Sequence, residues 1–207
     1  MCIRDSYKPY RRIDKMTMLD CIEKQMWQWA IAQPSKIAVK SGKKSVTYKE
    51  LCERILGAKT YLTDYCQLKE GDVIIIAAGK QIEFLFVYFG AHLSGIKVVP
   101  IDAETNLTRL SYIVNYTKAR LLIGFDDNNI NVNKIALKEF SELQMPFSEP
   151  KFPLGNQICD ILFTTGTTGK PKGVPLTFEN EAAAARNINE FINNTKDDIE
   201  LLALPVS

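Results

Sequence analysis

The chain has 207 residues, 46% of them apolar and 24% charged, with a formal net charge of +2 and a single histidine. A chain of that length buries one core or part of a larger one, and its composition is that of an ordinary globular protein. The near-neutral charge argues against nucleic acid or an anionic membrane as partner, and no apolar run is long enough to span a bilayer, since residues 84–93 are few and are broken by Gly90 and His92.

Residues 1–16 carry Lys8, Arg11, Arg12 and Lys15 without any hydrophobic period, and they lack the apolar core of a secretory signal. They are expected to be a disordered or non-native leader, with Met16 or Met18 as alternative starts. Residues 17–207 are expected to form one incomplete domain. The five cysteines, Cys2, Cys21, Cys52, Cys66 and Cys159, contain no C-x-x-C pair and are odd in number, which suits buried thiols in a reducing, cytoplasmic setting.

Helical spacing of Leu19, Ile22, Met26 and Trp29 or Ala30 predicts a helix over 19–32 packed on that face, ended by Pro34. A strand over 36–40, a turn at Ser41-Gly42-Lys43 and a return strand over 45–47 follow. Thr47 and Glu50 form a capping box for a helix with Leu51, Ile55, Ala58 and Leu62 on one stripe. The β-branched run at 72–78 reads as a strand buried on both faces. Beyond it come a helix over 81–93, a strand over 97–101, a helix over 107–116 with Leu110, Ile113 and Val114 inward, and a strand over 120–125.

This alternation predicts an α/β fold, a mostly parallel sheet with helices on both faces, because parallel neighbours need a crossover. The acidic loop Asp126-Asp127-Asn128-Asn129 lacks the spaced ligands of a calcium loop, and His92 lies on an apolar helical pattern, so neither is read as a metal site. Residues 134–152 contain a short helical or strand piece, and Pro146, Pro150 and Pro153 mark a surface connection.

Residues 160–178 read DILFTTGTTGKPKGVPLTF. Ile161-Leu162-Phe163 is a short buried strand, and it empties into a segment with almost nothing to bury. Thr164, Thr165, Thr167 and Thr168 supply hydroxyls, Gly166, Gly169 and Gly173 let the backbone amides converge, and Lys170 and Lys172 add charge. Those residue types suit a loop that surrounds phosphates. The P-loop spacing is not met, because Thr164 stands where its first glycine belongs and Pro171 follows Lys170. Downstream, residues 174–176 read as a strand, Thr177 as the cap of a helix over 178–192 with a thin face at Ala182 to Ala185, and 199–204 as the start of another strand.

The stretch from Phe163 to Val174 resembles the signature of the adenylate-forming, or AMP-binding, enzymes such as acyl-CoA synthetases and the adenylation domains of peptide synthetases. Thr165 stands where many members have serine, and Phe178 where many have histidine. Weaker echoes are Val46-Thr47-Tyr48, Gly71-Asp72-Val73 and Val99-Pro100-Ile101-Asp102. The resemblance implies the first part of the N-terminal domain of such an enzyme, with the adenine-binding segment and a small C-terminal domain expected further along a longer chain.

It also implies the chemistry. ATP with Mg2+ would activate a small carboxylic acid as an acyl adenylate, and a thiol, CoA by preference, would then displace AMP. Thr164, Thr165, Gly166, Thr167, Thr168, Gly169, Lys170, Pro171, Lys172 and Gly173 would hold the phosphates, with Lys172 at the family's fixed lysine position and in the catalytic role. The acid stays open among fatty, aromatic, succinylbenzoyl-type and amino acids. An adenylation domain serving an amino acid or a carrier protein, or a non-catalytic α/β remnant, are the alternatives.

Overall fold

The computed structural model describes residues 21–126, 129–164, 171–193, 195 and 197–202. Helix α1 (Ile22–Ala32) leads into an antiparallel hairpin of β1 (Ile37–Ser41) and β2 (Lys44–Thr47). The predicted capping box is present: the Thr47 hydroxyl accepts from the Glu50 amide, and the Glu50 carboxylate accepts from the Thr47 amide at 2.8 Å. Helix α2 (Tyr48–Thr60) starts there and ends in a π-helical turn at Tyr61–Tyr65.

The rest alternates as predicted through β3 (Val73–Ala78), α3 (Glu83–His92), β4 (Lys97–Asp102), α4 (Leu107–Thr117) and β5 (Leu121–Ile123), and β6 (Asn133–Ile135) follows. A 3-10 turn at Leu137–Phe140 precedes β7 (Ile158–Thr164), β8 (Lys172–Thr177) and α5 (Phe178–Ile192).

Six strands form one sheet in the order β6-β5-β3-β4-β7-β8, parallel except for β8, which returns antiparallel to β7. Side chains alternate across β3. Ile74 and Ile76 pack with residues of α1, α2 and α3, whereas Ile75 packs with Leu110, Ile113 and Val114 of α4. Helices therefore cover both faces, and Leu51, Ile55, Ala58 and Leu62 all lie in the core on the first of them. α2 and α3 approach closely there, since a Cβ on Gly90 would lie 2.9 Å from the Lys59 amide nitrogen.

Three expectations change. Of the face predicted for α1, Ala30 is buried, but Ile22, Met26 and Trp29 are only partly so, and the other buried positions are Glu23 and Trp27, one residue round. Lys172 and Gly173, read as loop, belong to β8. Of the strand expected over 199–204, residues 199–202 are described and are not in a strand, with Ile199, Leu201 and Leu202 exposed; Ala203 and Leu204 lie outside the described residues. No helix among the described residues is long and apolar enough to cross a membrane.

Candidate functional site

In the sheet, β4 lies on one side of β3, and the chain then crosses back to place β5 on the other. That reversal is the kind of switch point outside which open α/β sheets bind their ligands, beyond the carboxyl ends of the strands. β7 runs parallel to β4 and delivers Thr164 to that edge. There the cross-strand pairs Phe163↔Gly173 and Thr164↔Lys172 close a ribbon, and Thr164 and Lys172 are both exposed side by side.

Of the predicted phosphate-binding set, the structure places Thr164, Pro171, Lys172 and Gly173 together at the mouth of this ribbon. Thr165, Gly166, Thr167, Thr168, Gly169 and Lys170 lie outside the described residues. Gly173 is needed for space: a Cβ would sit 3.0 Å from Ile161 Cγ2, 3.1 Å from Phe163 Cζ and 3.2 Å from Tyr116 Cε1. Beside the ribbon is a cleft of about 420 Å³ lined by Ile101, Asp102, Glu104, Arg109 and Phe163, among others. Arg109, half-buried, donates from its guanidinium to the Phe163 carbonyl at 3.3 Å.

At the base of β7 lies a buried ionic cluster. His92 of α3 is wholly buried, with Nδ1 2.7 Å from Glu23 Oε1 and Nε2 3.3 Å from Asp160 Oδ1. The Tyr88 hydroxyl donates to Asp160 Oδ2 at 2.5 Å and lies 3.4 Å from Glu181 Oε1 on α5. Burial alone would lower the His92 pKa, but hydrogen bonds and charge from Asp160 and Glu23 raise it to about 9, so the ring is a cation at neutral pH. Burial would lift Asp160, yet the His92 and Glu181 hydrogen bonds hold it below its usual range. Glu181 is pushed up to about 8 by burial and by Asp160, and so keeps its proton. The Phe178 ring, in the position where many relatives of the motif have histidine, meets His92 edge-on at 5.1 Å between centroids.

His92, Cys159 and Asp160 offer atoms within 4.8 Å of one another, a spacing that could suit a metal. Their chemistry fits an ion triad better. Both imidazole nitrogens already face carboxylates, and Cys159, pushed well up by burial and by Glu181 and Asp160, donates its S–H to the Leu176 carbonyl at 3.3 Å. His92 thus faces a carboxylate at each ring nitrogen inside the core. Its acidic partners were missed, although a charge inside the run Ile158 to Phe163 and another on the α1 stripe were the available signals.

The sequence profile of the AMP-binding enzyme family matches residues 26–207. Among curated proteins, the 2-succinylbenzoate–CoA ligase of Bacillus velezensis is 28% identical over 186 residues, which is 86% of this chain and 38% of that protein. Malpibaldin synthetase of Mortierella alpina is 29% identical over 151 residues, 69% of this chain and 3% of that protein. Among solved structures, the O-succinylbenzoate coenzyme A synthetase of Bacillus subtilis in complex with AMP superimposes with a TM-score of 0.77 at 23% identity, covering 87% of this chain and 49% of that one. This likeness shows the fold, an N-terminal part of the adenylate-forming architecture. The chain spans about 38% of the length of that Bacillus velezensis ligase. With the family profile matched from residue 26 to residue 207, the chain belongs to the AMP-binding enzyme family.

Proposed function

We propose that the chain supplies the phosphate-gripping part of an ATP-dependent acid–thiol ligase. The observation that carries this reading is the Thr164↔Lys172 pair, which sets a hydroxyl and an ammonium side by side at the carboxyl edge of the sheet, where the TGTTGK segment begins and ends. In the reaction a carboxylate oxygen attacks the α-phosphorus of ATP. The bond to the bridging oxygen breaks, pyrophosphate leaves, and an acyl adenylate remains. A thiolate, that of CoA, then adds to the acyl carbonyl and AMP departs, which gives a thioester.

In this reading Thr164, Thr165, Thr167 and Thr168 donate to the β- and γ-phosphate oxygens. Gly166, Gly169 and Gly173 allow the backbone to come close, Pro171 fixes the turn, and Lys170 and Lys172 bring positive charge to the leaving pyrophosphate. Lys172 is the fixed charge because strand pairing holds its backbone. Magnesium bound with the nucleotide would supply further neutralisation of the phosphates. The thiols of the chain suit a reducing compartment, the cytoplasm.

The names of the Bacillus relatives make 2-succinylbenzoate the first acid to try. The match to Malpibaldin synthetase favours, as a second reading, an adenylation domain that serves an amino acid. The test is ATP–pyrophosphate exchange in a chain extended to the length of the curated ligases, driven by 2-succinylbenzoate or by a panel of amino acids. Lys172→Ala is expected to slow acid-dependent exchange by about 10²-fold, the usual loss for one charge-stabilising donor. Exchange at the wild-type rate would remove Lys172 from the role.

A further inference from the structure

Arg109 was absent from the residues singled out in the motif, and the structure gives it a place next to them. It stands in the first turn of α4 with its guanidinium on the Phe163 carbonyl, one residue before Thr164. Main-chain pairing of β7 with β4 is made at Val98↔Asp160, whereas Ile161 to Thr164 pair with β8. The ladder to β4 is thus registered at the base of β7, and α4 supports the tip of the strand from the side.

α4 holds it twice. Tyr116 meets the Phe163 ring edge-on at 5.6 Å, and Arg109 takes the carbonyl of the same residue. The helix is a firm anchor: the Asn106 side chain accepts from the Arg109 amide at 2.9 Å, and Leu110, Ile113 and Val114 are buried against the sheet. Asp102 and Glu104 line the same cleft and disfavour a free anion inside it, so the guanidinium serves the backbone rather than a separate anion site.

We infer that Arg109 is a positioning residue, which fixes through the Phe163 carbonyl the direction in which β7 presents Thr164 to the β- and γ-phosphates. The inference rests on the nucleotide reading above. It predicts a loss that follows the terminal phosphates, since the nucleotide reading gives this strand tip the β- and γ-phosphates.

The test compares wild type, Arg109→Lys and Arg109→Met in a chain extended to the length of the curated ligases, by titration with magnesium ATP and with AMP. Arg109→Met keeps the apolar stem and removes the donor. It is expected to bind ATP about tenfold more weakly, the scale of one hydrogen bond to a charged group, with AMP affinity unchanged and Arg109→Lys close to wild type. Wild-type ATP affinity in Arg109→Met, or an equal loss for ATP and AMP, overturns the positioning role. A wild-type protein that binds neither nucleotide overturns the nucleotide reading itself.

Discussion

His92 shows what a single residue does in this fold. An imidazolium between Glu23 and Asp160 is wholly buried, and its pKa of about 9 lies above the unfolded value of about 6.5. The folded state therefore binds its proton more tightly, so the stabilisation is complete below about pH 6.5 and is lost as pH rises through about 9. At about 1.4 kcal/mol per pH unit, the span is worth on the order of 3 kcal/mol. Glu181, raised to about 8, acts in the same direction, since its contribution is also lost as pH rises. Urea unfolding is expected to show stability declining from pH 6 to pH 9, with His92→Gln flattening the upper part of that slope. His92→Ala, which strands two buried carboxylates without their cation, is expected to cost about 3–5 kcal/mol in the same assay at neutral pH. Asp160 and Glu23 each stood out as a charge in an apolar pattern, but their pairing with His92 was not legible in the sequence, because the partners are 68 and 69 residues from it and only the tertiary fold brings them together.

Whole elements were far more legible than their faces. Periodicity located the helices and strands from α1 to β5, and the Thr47 box fixed the start of α2, because these signals are local. The orientation of α1 was not local: its apolar period pointed to Ile22, Met26 and Trp29 or Ala30, whereas the buried face is Glu23, Trp27 and Ala30, with Glu23 held to His92. Nor was the dependence of α2 on a distant segment visible. The Met145 amide donates to the Glu53 carbonyl at 3.0 Å, and Arg54 donates to the Ser141 carbonyl at 2.5 Å, which lays residues 141–145 along the helix. Gly57 faces that segment, and a Cβ there would be 2.6 Å from the Gln144 nitrogen and from the Leu143 carbonyl carbon. In an exposed helix Gly→Ala gains about 1 kcal/mol, but a backbone contact this short forces strands of chain apart at about 1–3 kcal/mol. Gly57→Ala is expected to lower the thermal midpoint, and a higher midpoint would show that residues 141–145 can move away. The phosphate motif itself was legible for the opposite reason, since its order of residues carries its own chemistry.

At the scale of the molecule, the parallel sheet is sealed on both faces, while the flank beyond it is not. Ile188, Phe191 and Ile192 on α5 and Ile199, Leu201 and Leu202 after it are exposed, Phe191 to 90%. The interior holds Cys52 within the large core and Cys159 beside Phe178 in a small separate one, both fully buried, while Cys66 is half-buried. Burial, with Glu53 nearby, pushes the Cys52 thiol up to about 12. Iodoacetamide at pH 8 is therefore expected to alkylate Cys66 ahead of Cys52 and Cys159 in the intact fold, read by peptide mass. The two silent sulfurs then work as clocks on opposite parts of the molecule, one ticking when the helical layer parts and the other when the base of the ribbon frays.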